Sequence, residues 1–222
     1  MKSYTYKMKL VPANFLCIFI YIFLFVITYL LKIDFYINSK YTFIFFISLL
    51  LYFMLHELLH GIGYYLGGAK RENIKYGIAL EKGLLYTLCR QEITKSNILI
   101  SLQMPFTVIG VITYIIGTLI SSPLLVVLSI VNIGGASMDL VMFFYILRIK
   151  NVRYSEADDC DEFVLISDED LTKKKSLFFK ITNVKNYKKE DFIFPKTKKI
   201  TITKQSIIIM IVFLLLGLLC SI

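Results

Sequence analysis

The sequence predicts an all-α polytopic membrane protein of about five transmembrane helices, with a small cytosolic β-hairpin in one polar connection. Two observations lead to this fold class. Of the 222 residues, 57% are hydrophobic and only 18% are charged, a balance that soluble domains do not show. Apolar stretches of about 20 residues, the length that crosses the hydrocarbon core of a bilayer, also recur along the chain.

Five stretches are long and apolar enough to be spanning helices: about 14–31, 41–67, 97–120, 123–147 and 206–222. The first is too long for a signal-peptide core and has no small-residue cleavage site after it, so we expect it to be retained. Only a short Ser-Ser-Pro turn separates the third from the fourth, which predicts an antiparallel helical hairpin. The chain then divides into a membrane core at 1–147, a basic cytosolic segment at 148–205 and a C-terminal transmembrane helix at 206–222.

Lysine and arginine indicate the orientation of these helices. They concentrate before the first stretch, in 68–96 and in 148–205, and five spans place all three regions on one side. Because cytosolic loops carry the excess of basic residues, we expect a multi-pass protein of the cell membrane with a cytosolic N-terminus and an extracytoplasmic C-terminus. Basic segments between membrane helices suit anionic lipid headgroups and argue against nucleic acid as a partner.

The polar connections carry weaker patterns. Apolar runs at 74–80 and 84–88 flank a glycine-containing turn, which predicts a β-hairpin; an irregular amphipathic loop fits equally well. In 148–205, the runs 163–166 and 177–179 could form short strands or one interfacial helix. We expect this segment to be too short and too polar for a substantial core of its own.

The second apolar stretch contains the pentad His-Glu-Leu-Leu-His, and its two histidines, His56 and His60, are the only ones in the chain. On a helix they lie one turn apart on one face, so both imidazoles can reach the same metal ion. Glu57 is rotated by about 100° from His56, where it can act on water without being a ligand. Ionisable groups are costly in hydrocarbon, and a divalent cation compensates them. The pentad therefore predicts a Zn²⁺ site.

A catalytic zinc site needs a third protein ligand, and Asp139 is the one acidic residue in the five apolar stretches outside the pentad. Counting from the helix ends at Gly67 and Leu147, His60 and Asp139 both lie roughly 10–12 Å below the cytosolic surface at 1.5 Å per residue. Small residues just before Asp139 favour close packing of helices. We therefore expect His56, His60 and Asp139 to bind the metal.

Asn132 lies two helical turns before Asp139 on the same predicted face. It could bind a substrate backbone or an oxyanion, or it could form an interhelical hydrogen bond.

These residues resemble the putative zincin peptidases, small bacterial membrane proteins similar in plan to the site-2 intramembrane proteases. The resemblance rests on the following segments: His-Glu-Leu-Leu-His-Gly at 56–61, Lys-Tyr-Gly at 75–77, Met-Pro-Phe at 104–106, 132–139 and 158–163. Leu140 follows Asp139 where site-2 proteases typically have glycine, which favours the zincin branch. The resemblance implies zinc, a cytosol-facing site and peptide-bond hydrolysis.

The sequence thus predicts a zinc-dependent, membrane-embedded endopeptidase that cleaves a membrane protein or peptide near the cytosolic membrane face, with Glu57 as general base. One alternative is a zincin whose third ligand comes from the cytosolic segment, such as Glu156. Another is a non-catalytic metal-binding membrane scaffold or a transporter component, although few polar residues line the spans.

Overall fold

A computed structural model describes residues 1–79, 84–157 and 162–188. These residues are about 58% helical and 21% strand, and five of the strands form one antiparallel sheet. The prediction of an all-α protein was therefore wrong. The molecule combines apolar helices with a β-sheet that is built from the N-terminal residues, a short strand before the third apolar unit and the segment after residue 147.

The helices are α1 (Leu10–Leu30), α2 (Thr42–Leu66), α3 (Lys95–Pro105), a π-helical segment (Phe106–Ile112), α4 (Thr113–Leu119), α5 (Pro123–Gly135) and α6 (Ser137–Leu147). Three continuous units are long and apolar enough to cross a membrane: Leu10–Leu30, Ser39–Leu66 and Lys95–Leu119. The α5–α6 pair is a fourth if it counts as one span. These units coincide with the first four predicted stretches, whereas the predicted helix at 206–222 lies outside the described residues.

The fourth predicted stretch is not one straight helix. Helix α5 ends at Gly135, and α6 continues after Ala136 at an angle of 46°. The consecutive glycines Gly134 and Gly135 precede the break, and pairs of small residues are a usual cause of helix kinks. The bend places Asp139 in the first turn of α6, where the positive end of the helix dipole favours a carboxylate.

The five-stranded sheet contains β1 (Lys2–Met8), β4 (Ile93–Thr94), β5 (Val152–Glu156), β6 (Glu162–Ser167) and β7 (Phe179–Asn186). Its order is β4-β5-β6-β1-β7, and every pair is antiparallel. The N-terminal strand therefore lies inside the sheet, between β6 and β7. In β1, Tyr4 and Tyr6 alternate with more exposed residues and are both buried, as expected of a strand with one covered face.

The described residues of 148–205 contribute to a core that is shared with the rest of the chain, and whether this segment has a core of its own stays a prediction. Tyr4 and Tyr6 from β1 and Tyr145 from α6 pack with Phe163 and Phe179 in one buried aromatic cluster. Neither the segment nor the N-terminus can bury these rings alone, and the sheet joins them. This shared core is the physical reason why the all-α prediction failed.

The predicted β-hairpin is confirmed. Strands β2 (Ile74–Ala79) and β3 (Leu84–Cys89) pair antiparallel, with Tyr76 directly opposite Thr87. The predicted turn at 81–83 lies outside the described residues. Both strands pack on α2.

Helices α2 and α3 approach each other closely along two glycines. A Cβ atom at Gly63 would lie 2.4 Å from the Cα atom of Ser101, and one at Gly67 would lie 2.7 Å from the Cα atom of Asn97. Neither position can hold a side chain without moving α3. This close packing brings the backbone of α3 within hydrogen-bonding distance of His60.

Candidate metal centre

The structure brings together the three residues that the sequence predicts as metal ligands. His56 and His60 project from successive turns of α2, and Asp139 approaches them from α6. Their potential ligand atoms all lie within 4.8 Å of one another. The two Nε2 atoms are 3.1 Å apart, and Asp139 Oδ2 lies 3.3 Å from His56 Nε2 and 3.6 Å from His60 Nε2.

The hydrogen bond of His60 fixes its tautomer. Its Nδ1 atom lies 3.0 Å from the main-chain carbonyl oxygen of Ser101, which can only accept. Nδ1 must therefore carry the proton, and Nε2 of the neutral ring presents its lone pair to the centre. Ser101 Oγ in turn donates to the carbonyl oxygen of His60, 2.9 Å away, so that α2 and α3 are joined at this residue in both directions.

Asn132 fixes the tautomer of His56 by the same logic. Its Nδ2 atom donates to the main-chain carbonyl oxygen of Pro105 over 3.0 Å, so its Oδ1 atom must face His56. That oxygen lies 2.8 Å from His56 Nδ1, which is therefore the donor. Nε2 of His56 is left with a lone pair toward the centre. Hydrogen bonds from the non-ligating ring nitrogen are the usual way in which proteins orient metal-binding histidines.

The donor set fits a zinc ion. When both rings are neutral, two imidazole lone pairs and a carboxylate oxygen face one another, an arrangement that is repulsive unless a cation lies there. Tetrahedral zinc with bonds of about 2.0–2.1 Å separates its ligands by about 3.3–3.4 Å. The observed separations of 3.1, 3.3 and 3.6 Å scatter around that value. His56, His60 and Asp139 would hold the ion, and a fourth position would stay open.

Glu57 lies beside this cluster and is held by strand β3. The buried Thr87 places its Oγ atom 3.0 Å from Glu57 Oε2 and 2.7 Å from the main-chain oxygen of Glu57. Thr87 is a site residue that the sequence did not predict. The one feature of the sequence that could have indicated it is that Thr87 is a hydroxyl residue between Leu85 and Cys89, on the inward face of the predicted strand.

The structure gives Glu156, the alternative third ligand, a different environment. Its Oε1 and Oε2 atoms accept hydrogen bonds of 3.1 Å from the hydroxyl groups of Tyr64 and Tyr154, respectively. It is not among the residues whose ligand atoms converge with His56 and His60, although it and Asp139 line one cavity of about 100 Å³. Burial raises the pKa of the Glu156 carboxyl from 4.5 to about 7, while the two tyrosine hydrogen bonds act in the opposite direction.

Comparison with known proteins agrees with this geometry. Residues 49–154 match the model of a family described as putative zincin peptidase. The matched part contains the three candidate ligands, Glu57, Asn132 and the hairpin. Searches of curated proteins and of solved structures gave no match. The resemblance noted in the sequence is thereby confirmed for residues 49–154, the part of the chain that matches the model of the putative zincin peptidase family.

Proposed function

We propose that this protein is a zinc-dependent endopeptidase that hydrolyses peptide bonds of a membrane protein or peptide at a membrane-embedded site. The observation that carries the proposal is the convergence of three potential ligand atoms, from His56, His60 and Asp139, beside the carboxylate of Glu57. Structural zinc sites are usually closed by a fourth protein ligand. Among the described residues, no fourth ligand joins these three.

The residues of the chain divide the work of hydrolysis between them. A bound zinc ion would act as a Lewis acid that lowers the pKa of water and polarises the scissile carbonyl. Glu57 takes a proton from the attacking water and delivers it to the leaving nitrogen, the usual contribution of a positioned carboxylate. Asn132 and the Ser101 carbonyl hold the two imidazoles in the required tautomer. Because both polar ends of the Asn132 side chain are engaged by the protein, we assign it this positioning role in preference to oxyanion binding.

The sheet supports a topology for the membrane part. Strand β1 precedes α1, β4 lies between α2 and α3, and β5 follows α6, yet all three belong to one sheet. Strands of one sheet lie on one side of a membrane, so the chain crosses an even number of times in each interval. Two crossings by α1 and α2, then two by α3–α4 and α5–α6, satisfy this rule. The lysines and arginines on this side favour the cytosol and anionic lipid headgroups.

The topology is tested by cysteine labelling in intact cells, with the native cysteines replaced. A cysteine at Asn38, between α1 and α2, should react with a membrane-impermeant maleimide. One at Lys70, between α2 and the hairpin, should react only after the membrane is permeabilised. Labelling of both positions in intact cells would contradict the four-crossing arrangement.

The activity is tested with purified protein in detergent, zinc analysis and a peptide library made from a whole-proteome digest. Wild-type protein should bind one zinc per chain and cleave library peptides. Glu57→Gln should keep the zinc and lose cleavage by at least about 100-fold, the contribution expected of a general base. Asp139→Ala should lose zinc, whereas Glu156→Gln should retain it.

Two outcomes would overturn the proposal. Loss of zinc from Glu156→Gln but not from Asp139→Ala would favour the alternative ligand set. The second outcome is that wild type and Glu57→Gln each bind one zinc per chain and either cleave peptides equally or do not cleave them. That result would instead favour a non-catalytic metal-binding membrane scaffold or transporter component.

A further inference from the structure

The β2–β3 hairpin contacts α2 through a pair of directly opposed residues, Tyr76 and Thr87. Thr87 meets Glu57, as described above. The Tyr76 hydroxyl lies over Gly61, where a Cβ atom would come within 2.0 Å of the hydroxyl oxygen. Glu57 and Gly61 are four residues apart and therefore lie one turn apart on the same side of the helix. The hairpin thus rests on the single helical turn that includes the metal ligand His60.

Glu57 needs such a support because, in the part of the chain that the structure describes, no other group hydrogen-bonds to its carboxylate. A glutamate side chain has several freely rotating bonds, and fixing it costs conformational entropy. A bound ion would orient its ligands together with their own hydrogen bonds, but a general base is not coordinated. Among the described residues, the one hydrogen bond to the Glu57 carboxylate comes from Thr87, to Oε2, and none reaches Oε1. This arrangement leaves Oε1 available for water.

The Thr87 hydroxyl has one hydrogen and two acceptors within reach, the Glu57 carboxylate and the Glu57 main-chain oxygen. The main-chain oxygen is the nearer acceptor, at 2.7 Å, but an ionised carboxylate, here at 3.0 Å, is the stronger one. The main-chain oxygen is in the interior of α2, where it accepts the usual helical hydrogen bond from four residues ahead. Both acceptors belong to the same residue, so the contact sets the position of the side chain relative to its own backbone.

We infer that Thr87 is a positioning residue that aims the Glu57 carboxylate at the centre, and that the hairpin contributes to catalysis through it. The inference rests on the proposed peptidase function. Its rival is a purely structural role, in which Thr87 only fastens the hairpin to α2. The two roles differ in what the loss of the hydroxyl changes. If Thr87 positions the general base, turnover falls; if it only attaches the hairpin to α2, folding and zinc retention are affected.

The test uses Thr87→Val, which keeps the branched shape without the hydroxyl, and Thr87→Ser, which keeps the hydroxyl. Thr182→Val in β7 is the matched control for the same substitution away from the centre. The substrate is a quenched fluorescent version of the library peptide that the wild type cleaves best. We expect Thr87→Val to lower kcat by about 10–100-fold with KM within about twofold, because misplacing a catalytic group by about 1 Å has such an effect. Zinc content and thermal midpoint should stay those of the wild type.

Thr87→Ser should restore kcat to within about threefold of wild type, and Thr182→Val should not differ from it. If Thr87→Val does not fold, Thr87→Ala replaces it with the same expectation. Wild-type kcat in the hydroxyl-free variant, or a loss that follows the zinc content or thermal midpoint and is not restored by serine, would overturn the inference. Full cleavage by Glu57→Gln would instead overturn the proposed function, so the two failures are distinguishable.

Discussion

The carboxyl of Glu156 should make the stability of this protein fall as the pH rises from about 5 to 8. Burial raises its pKa from 4.5 to about 7 in the folded state. The folded protein therefore binds this proton more tightly than the unfolded chain does. The stabilisation is fully present below pH 4.5 and is lost as the pH rises through 7.

The size of the effect follows from the two pKa values. A shift from 4.5 to about 7 corresponds to about 3 kcal/mol in total, of which about 2.5 kcal/mol is lost between pH 5 and pH 8. For a chain of this size, such a loss lowers the thermal midpoint by roughly 5–10 °C. The measurement is thermal unfolding in detergent at four pH values, with saturating zinc to keep the metal centre constant.

Glu156→Gln isolates this contribution, because glutamine resembles the protonated carboxyl. Its amide can still pair with Tyr64 and Tyr154, whose hydroxyl groups donate or accept. We expect the variant to be as stable as wild type at pH 5 and more stable at pH 8, by about 2.5 kcal/mol. Parallel pH profiles for the two proteins would refute the reasoning, since they would show that Glu156 takes up no extra proton on folding.

Two further predictions concern the supports of the histidines. Gly63→Ala places a Cβ atom against the backbone of Ser101 and should destabilise the protein by about 1–3 kcal/mol and weaken zinc binding. Gly135→Ala, whose added Cβ atom would meet none of the described residues outside its own helix within 4 Å, should be neutral or slightly stabilising; equal unfolding midpoints for the two variants would contradict the packing argument. Asn132→Ala should weaken zinc binding by about 10–100-fold, measured by competition with a zinc-binding dye; unchanged affinity would show that His56 needs no orienting partner.

The side chains of the centre were predictable because their signals are local or restrictive. The pentad gives the spacing of His56 and His60 directly, through the helical period. Asp139 could be found because hydrocarbon tolerates so few acids that one candidate was left in the apolar stretches. The hairpin followed from two apolar runs around a glycine turn, a pattern that needs no distant partner.

The supports of those side chains were not predictable in the same way. His60 is oriented by the carbonyl oxygen of Ser101, and Asn132 is oriented by that of Pro105. Main-chain oxygens are present at every residue, so a sequence does not distinguish the two that matter. The bend after Gly135 depends on how α6 packs. The N-terminal residues, in which Tyr4 and Tyr6 alternate with polar residues, resemble the basic flank of a membrane helix until their partner strands are known.

The inner place of β1 in the sheet has a consequence for how the molecule is assembled. Ser3 pairs with Lys185 at a separation of 182 positions, and the intervening chain contains every apolar helix that the structure describes. Strand β1 is synthesised first, but it can pair only after β6 and β7 have been synthesised, and these follow α6 in the chain. Contacts so distant in sequence form slowly. Folding of the sheet thus reports that the helices between its strands have already been synthesised, and a chain that stalls before β6 leaves Tyr4 and Tyr6 without a core.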